Sequence, residues 1–206
     1  IPDSVKTIQT DAFRWCPGLN YLHLGSGLAT IGDSAFSSTN IISVTLAENN
    51  KAFVLQNKIL FTADKAKLVK CFDQGIANYV IPTGVKEIGA GAFDSCDNLK
   101  TVMIPSGVQR IGSGAFMWCY NLTSLTIPAS VTNLQPNAFF TNTCPINVAT
   151  ANTVYCSRNG AVYTKNMDTL IYAAGARGAF TIPNTVVTIE ENAFADSVIS
   201  SVTIPN

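Results

Sequence analysis

IPSGVQRIGSGAFMWCYNLTSLTI, from Ile104 to Ile127, is the stretch that decides the fold. The series begins again at Ile127-Pro128, so the step from Pro105 to Pro128 is 23 residues. One period earlier, from Ile81, the same residue classes stand at the same offsets. A fixed period in this range, with apolar residues at fixed offsets, is typical of a solenoid whose units bury their faces by stacking on their neighbours.

Units of this kind predict one solenoid over residues 1–206, with regular coils at 1–48, 81–148 and 182–206. Two stretches, 49–80 and 149–181, break the period and are interpreted as irregular inserts. The inserts resemble each other, since Asn57 of the first matches Asn159 of the second. Asn159-Gly160 between two strand-forming runs is a strong signal for a tight hairpin turn. We therefore predict a β-hairpin in each insert.

The repeat also predicts what fills the core. Stacked coils would align their phenylalanines in a single interior column, formed by Phe13, Phe36, Phe93, Phe116, Phe139 and Phe194. Cys16, Cys96 and Cys119 share one repeat position, and Cys144 lies in a distorted version of it. Equivalent side chains of neighbouring coils lie about 4.8 Å apart, whereas disulfides prefer Cβ atoms about 3.8 Å apart. We predict buried free thiols, with disulfides as the alternative.

Composition excludes several classes of partner. Lys and Arg number 13, as do Asp and Glu, and no basic cluster occurs, so we expect no binding of nucleic acid. No apolar run reaches about 18 residues, so we expect no insertion into a membrane. The first residues lack the charged and apolar regions of a signal peptide, so we expect any signal peptide to lie outside this sequence. The chain begins and ends at Ile-Pro boundaries. We expect it to be a segment of a longer array.

A single histidine, His23, limits the possible chemistry. A hydrolase triad would have to include it, and one histidine makes a zinc site improbable. Phosphate-binding and nucleophile-elbow motifs are missing. We therefore expect no enzyme, no cofactor and no metal site. Because His23 alternates with Leu22 and Leu24, it should point outward, either as a surface contact or as a solvent-exposed side chain.

Outward positions beside the second apolar residue of each L-x-x-L-x-I strand form a candidate protein-binding face. Its members are Tyr21, His23, Ser43, Thr45, Thr101, Met103, Ser124, Thr126, Ser201 and Thr203. Small hydroxyl side chains suit contact with a protein or a glycan, although threonine is also simply a good strand former. Aromatic residues of the inserts, Phe53, Phe61, Tyr155 and Tyr163, are candidate insert contacts. The alternative is that these aromatic side chains pack on the flank of the solenoid.

The pattern IPxxVxxIxxxAFxxCxxLxxLxI resembles the BspA-like leucine-rich-repeat family, which occurs in secreted and surface proteins of host-associated bacteria and in some protozoa. The resemblance covers nearly the whole chain. It implies a mostly β member of the α/β class, namely a right-handed leucine-rich-repeat solenoid. We expect a parallel sheet on one side of this solenoid, short extended or helical pieces on the other, and two β-hairpin inserts.

The same resemblance implies a secreted or cell-surface location and adhesion to an extracellular host or neighbouring-cell protein or glycan. We therefore expect a non-catalytic protein-protein interaction or adhesion module. The alternative is a structural spacer array that holds another domain away from the cell surface. Uncapped end coils could also stack on another copy, so end-to-end self-association is a further possibility.

Overall fold

The computed structural model describes residues 1–205, which form a stack of coils built from short strands. The strands are β1 (Thr7–Ile8), β2 (Tyr21–Leu24), β3 (Thr30–Ile31), β4 (Ser43–Leu46), β5 (Phe53–Gln56), β6 (Ile59–Thr62), β7 (Lys67–Cys71), β8 (Asn78–Val80), β9 (Glu87–Ile88), β10 (Thr101–Met103), β11 (Arg110–Ile111), β12 (Leu125–Ile127), β13 (Asn133–Leu134), β14 (Ile146–Val148), β15 (Tyr155–Arg158), β16 (Ala161–Thr164), β17 (Thr169–Tyr172), β18 (Arg177–Thr181), β19 (Thr188–Ile189) and β20 (Val198–Thr203). Across this range no helix has the length and apolar character that a membrane crossing requires.

Each regular coil contributes a strand to two series of parallel ladders. In the first series β2 pairs with β4, β8 with β10, β12 with β14 and β18 with β20. In the second series the V-x-x-I strands pair, so that β9, β11 and β13 lie side by side. The pairing is in register, because Ile111 lies between Ile88 and Leu134. The prediction of a mostly β solenoid of stacked coils is confirmed.

The corner between the two strands of a coil is not helical, so the α part of the expected class is wrong for residues 1–205. Gly91 and Ser95, which bound one corner, have φ values of 63° and 62°. Residues in this left-handed conformation cannot continue a right-handed helix. The backbone N–H groups of Gly91, Phe93 and Ser95 instead donate to carbonyl oxygens of the next coil at 2.7 to 3.0 Å. The corners therefore bind neighbouring coils to each other.

Buried side chains form three clusters, so the expectation of a single interior column is wrong. Phe93 stacks on Phe116 at a centroid distance of 5.3 Å, and Phe116 stacks on Phe139 at 6.0 Å. Phe13 and Phe36 stack in the same way at 5.5 Å, but within a separate cluster. The columns end where the inserts interrupt the coils.

Each insert consists of an antiparallel hairpin followed by a shortened coil. In the first insert β5 pairs antiparallel with β6, and β6 pairs antiparallel with β7. Strand β7 then pairs in parallel with β9 of the next coil, and β8 pairs with β10. The second insert repeats this arrangement with β15, β16, β17 and β18. The shortened coils thus add strands to both series of ladders.

All six cysteines are free thiols. The prediction of buried free thiols is confirmed for Cys96, Cys119 and Cys144, and the burial predicted for Cys16 is wrong. Cys71, Cys96, Cys119 and Cys144 are buried, whereas Cys16 is half-buried. Cys71 belongs to the first insert, and interaction with the Cys96 side chain lowers its pKa. Burial raises the pKa of Cys119, and it raises the pKa of Cys144 to about 11. The buried thiols therefore serve as small apolar side chains.

Candidate functional site

The ten residues of the candidate protein-binding face are all exposed. They do not form one surface, because the ladders β2–β4, β8–β10 and β18–β20 belong to separate sheets. We call the surface of β2 and β4 the N-terminal patch, that of β8, β10 and β12 the middle patch, and that of β18 and β20 the C-terminal patch. Strand pairing is interrupted between β4 and β8 and between β14 and β18, which separates the three patches.

In the N-terminal patch, side chains of adjacent strands lie next to each other in pairs. Tyr21 lies beside Ser43, and His23 lies beside Thr45. The Nδ1 atom of His23 is 2.9 Å from Oγ1 of Thr45. The histidine that any triad would require is thus held by a threonine hydroxyl. Tyr21 is 77% exposed and presents its ring to solvent.

The middle patch combines an exposed apolar pair with hydrogen-bonding side chains. Met103 lies beside Val80 across the β8–β10 ladder, and the two are 63% and 62% exposed. In the same ladder the hydroxyl of Thr101 donates to Oδ1 of Asn78 at 2.6 Å. Ser124 follows on the next coil through a parallel bridge to Thr101.

A groove of about 490 Å³ follows the middle patch. Within residues 1–205 its lining has no charged side chain and consists of Asn78, Tyr79, Val80, Thr101, Val102, Met103, Ile104, Ser124, Thr126 and Pro128. Sequence reasoning missed Asn78 and Val80 because they lie in an insert. Their signal was the run from Asn78 to Pro82, NYVIP, which matches TVMIP from Thr101 to Pro105.

The C-terminal patch presents small side chains. Ser201 lies beside Ala179, and Thr203 lies beside Thr181, across the β18–β20 ladder. The structure therefore brings the predicted face residues together in groups of four, four and two, within a patch and not across the whole face.

The candidate insert contacts are buried, so the prediction that they are exposed anchors is wrong. Phe53, Phe61, Tyr155 and Tyr163 are all 8% exposed or less. The hairpins pack against the coils because β7 and β17 continue the second series of ladders. The hydroxyl of Tyr155, for example, accepts a hydrogen bond from the backbone N–H of Leu134 at 3.0 Å.

An asparagine at the start of each insert fixes the path from coil to hairpin. Nδ2 of Asn152 donates to the carbonyl oxygens of Pro128 and Val131 at 3.0 and 2.9 Å. Its Oδ1 accepts the N–H groups of Val154 and Tyr155 at 2.9 and 2.8 Å.

Asn50 makes the equivalent bonds at the start of the first insert. Its amide donates to the carbonyl oxygens of Gly25 and Leu28 at 2.9 and 3.0 Å. Its Oδ1 accepts the N–H groups of Ala52 and Phe53, both at 2.9 Å. The sequence signal for this pair was the same offset between inserts that relates Asn57 to Asn159.

Nothing in the described range, 1–205, resembles a metal centre, since no three His, Cys, Asp or Glu side chains come together there. One ion pair within this range is buried, between Nζ of Lys70 and Oδ2 of Asp94 at 3.9 Å. The same ammonium donates to the carbonyl oxygens of Gly91 and Asp94 at 2.9 and 3.0 Å. This pair closes the junction between the first insert and the following coil.

Comparison with protein families identifies the repeat. The family model of the BspA type leucine-rich repeat region matches residues 1–60, 69–177 and 172–206 in six copies. No curated protein matches the sequence.

Two solved structures are similar to the chain. The pneumococcal vaccine antigen PcpA has a TM-score of 0.64 and 20% identity, over 98% of this chain and 51% of that one. A leucine-rich cell surface protein from Faecalibacterium prausnitzii A2-165 has a TM-score of 0.59 and 26% identity, over 100% of this chain and 54% of that one. The chain therefore spans about half the length of each of these proteins.

Proposed function

This chain belongs to the BspA-type leucine-rich-repeat family, and from that premise we propose that it is a non-catalytic module that binds an extracellular protein through its middle patch. The similar Faecalibacterium prausnitzii protein is described as a cell surface protein. That description supports a secreted or cell-surface location for this chain. A binding partner would then be a protein of the host or of a neighbouring cell.

The observation that carries this proposal is the exposure of Met103 beside Val80 in a groove whose described lining is uncharged. The centres of protein interfaces are enriched in methionine and depleted in charged side chains. Hydroxyl and amide groups of Thr101 and Asn78 border the apolar pair and can form the polar rim of an interface. Met103 and Val80 lie on paired strands, so this surface is preorganised for binding.

The proposal is tested with Met103→Glu and Val80→Glu, each of which places a charge at the centre of the patch. Binding of the purified chain to immobilised extracellular-matrix proteins and to intact epithelial cells is measured by surface plasmon resonance and flow cytometry. We expect each variant to weaken saturable binding about tenfold or more, because a buried unpaired charge costs over about 1.4 kcal/mol. Protease treatment of the cells should abolish binding of the wild-type chain.

Val187→Glu is the matched control, because Val187 is 83% exposed and lies outside the patch. Its binding should equal that of the wild-type chain. If the chain showed no saturable binding, or if Tyr21→Ser, His23→Ser and Met103→Ser together left cell attachment unchanged, the spacer function would be favoured.

A further inference from the structure

Two tryptophans from distant parts of the solenoid meet on its corner surface. Trp15 of the first coil and Trp118 of the coil from Ile104 have ring centroids 5.0 Å apart at an interplanar angle of 62°. Between them in the stack lie Ser38 and Ser95, which occupy the same corner position. Three coil spacings of about 4.8 Å separate the two tryptophan backbones by about 14 Å. The two indoles must therefore extend toward each other over the serines.

The backbone makes this an unusual place for a large side chain. Trp15 and Trp118 have φ values of 59° and 56°. The corner imposes this left-handed conformation on every coil, and other coils place Ser38, Ser95 or Thr141 there. For a bulky residue such as tryptophan, as for a β-branched one such as threonine, this conformation is an outlier.

Burial does not account for Trp15, which is 60% exposed, whereas Trp118 is half-buried. Tyr120 beside the pair is 62% exposed. The three aromatic rings share one groove, which has a volume of about 560 Å³. This volume falls within the range of roughly 300–1,000 Å³ that is usual for small-molecule sites.

The first insert makes the groove possible because it loops out and lets the flanking corners touch. The backbone N–H of Ser38 donates to Oδ2 of Asp94 at 2.7 Å, across 56 positions of sequence. Gly91 belongs to the same contact, since a Cβ at this position would lie 2.4 Å from Oγ of Ser37. Gln74, from the shortened coil of the insert, then lines the groove.

The groove also contains polar side chains, and among the described residues none of these carries a positive charge. Asn40, Gln74 and Asp97 line it together with the aromatic rings, and no Lys, Arg or His in the part of the chain that the structure describes does so. Asp97 is exposed and anionic, and partial burial beside the charge of Asp94 raises its pKa. A carboxylate accepts hydrogen bonds only, whereas the two amides both donate and accept.

We propose that this groove, formed by Trp15, Trp118, Tyr120, Asn40, Gln74 and Asp97, binds a neutral glycan. A sugar ring has an apolar C–H face that fits an aromatic ring, and hydroxyl groups around its edge that both donate and accept hydrogen bonds. Indole and phenol faces would bind the C–H surface, and the amide and carboxylate groups would bind the hydroxyls. This site shares no lining residue with the groove of the middle patch.

Charge and hydrogen bonding distinguish this ligand from two others. An acidic glycan would bring a carboxylate to a groove whose described lining includes Asp97 and no cationic side chain, which costs free energy. A proline-rich peptide also fits aromatic grooves, but proline has no N–H to offer the Asp97 carboxylate. A neutral sugar satisfies both conditions because its hydroxyls donate hydrogen bonds and carry no charge.

The test uses the purified chain with lacto-N-tetraose, cellotetraose and maltotetraose as neutral probes. The acidic probe is sialyllactose, and the peptide probe is decaproline. Binding is followed by tryptophan fluorescence and by titration calorimetry. We expect at least one neutral probe to bind saturably with a change in fluorescence, and sialyllactose and decaproline to bind more weakly. Trp118→Ala and Trp15→Ala should each weaken that binding about tenfold or more.

Two further variants make the outcome specific. Asp97→Asn keeps the shape of the groove and should weaken binding while the fluorescence change at saturation persists. Tyr21→Ala removes a more exposed aromatic ring from the N-terminal patch and should bind like the wild-type chain. Far-UV circular dichroism and urea midpoints verify that every variant is folded.

The proposal is overturned if no neutral probe binds at millimolar concentration, if decaproline or sialyllactose binds best, or if both tryptophan variants bind like the wild-type chain. None of these results would bear on the proposal that the middle patch binds a protein, since Met103→Glu and Val80→Glu test a different surface.

Discussion

Single residues at fixed repeat positions decide how closely neighbouring coils approach. A Cβ added to Gly112 would lie 2.5 Å from the backbone nitrogen of Ala90, and one added to Gly32 would lie 2.3 Å from that of Thr10. The sequence predicts a bend at these glycines that a side chain would obstruct. The structure shows that the obstruction would come from the backbone of the preceding coil.

The stacked phenylalanines give the first stability prediction. Phe116 is fully buried between Phe93 and Phe139, so Phe116→Ala should lower the free energy of unfolding by about 3–5 kcal/mol. Phe13 is only half-buried and has one stacking partner, so Phe13→Ala should cost clearly less. Urea denaturation followed by circular dichroism measures both losses. Equal losses would contradict the stacked column as the source of stability.

On the strands, side-chain direction could be predicted from the sequence because it follows from strand alternation alone. All ten face residues are exposed. Phe93, Phe116 and Phe139 lie in corners, and their burial and stacking could be predicted from the repeat instead. The Trp15–Trp118 contact could not be predicted in this way. It depends on how the corners on either side of an insert stack on each other. The repeat pattern of the sequence does not give the distance between those corners.

At the scale of elements, the hairpin of each insert could be predicted from the sequence, whereas the shortened coil that follows it could not. The tight turn at Asn159-Gly160 joins β15 to β16, which pair antiparallel. The shortened coils could not be recognised in the sequence because they share few apolar positions with a regular coil. Leu68 of β7, which pairs with Ile88, is one of these few.

Two other aromatic residues of the inserts, Phe72 and Tyr172, complete the interrupted columns. Phe72 packs edge-on against Phe36 at 5.7 Å, and Tyr172 packs in the same way against Phe139 at 5.6 Å. A hairpin aromatic can end a stack of phenylalanines or project to solvent, and sequence alone does not distinguish these outcomes. The neighbouring coil decides, because it leaves apolar surface that must be covered.

The asparagines that begin the inserts give the second stability prediction. Asn152→Ala would leave two buried carbonyl groups and two N–H groups without their side-chain partner. Unsatisfied buried groups cost about 1–3 kcal/mol each, partly relieved by water, so we expect a total loss of roughly 2–4 kcal/mol. Asn50→Ala should cost less because Asn50 is only half-buried.

Asn121→Ala is the matched control for this measurement. Asn121 is exposed, and its amide donates a single bond to the carbonyl oxygen of Asp97 at 2.7 Å. Its loss should be about 0.5 kcal/mol or less, as for other surface substitutions. Urea midpoints give the losses, and hydrogen exchange at Val154 and Tyr155 shows whether the insert opens locally. Unchanged exchange in Asn152→Ala would contradict the anchoring role.

At the scale of the whole molecule, neighbouring coils are connected along three lines. Two are the series of parallel ladders, and the third is the set of corner hydrogen bonds such as Phe93 N–H to Ala115 O at 2.7 Å. The first series is interrupted between β4 and β8, whereas the corners on either side of that interruption are bridged by Asp94 and Ser38. Stability of such an array is a sum of coil and interface contributions. Between β4 and β8 the array therefore lacks the connection that the first series makes elsewhere.

Because of its buried thiols and phenols, the whole array should become less stable as the pH rises into the alkaline range. Burial raises the pKa of Cys144 from 9.0 to about 11 and that of Tyr79 from 10.0 to about 12, and it also raises that of Cys119. Above pH 9 the unfolded chain has released the Cys144 proton while the folded chain retains it. The free energy of unfolding therefore decreases as the pH rises, and its full value is present only below about pH 9.

The size of this effect follows from the pKa difference at Cys144. Between pH 9 and about 11 this thiol alone should lower the free energy of unfolding by about 1.4 kcal/mol per pH unit. Urea unfolding at a series of pH values from about 8 to 11, with a reductant present, measures the slope. Cys144→Ala removes this ionisable group and should reduce the slope by about 1.4 kcal/mol per pH unit, while Cys119 and Tyr79 maintain the rest of it. Val131→Ala, a buried apolar control, lowers stability at every pH but must keep the wild-type slope, because it leaves every buried proton in place. Equal slopes for Cys144→Ala and the wild-type chain would show that the thiol is hydrated in the folded state, contrary to its position in the core.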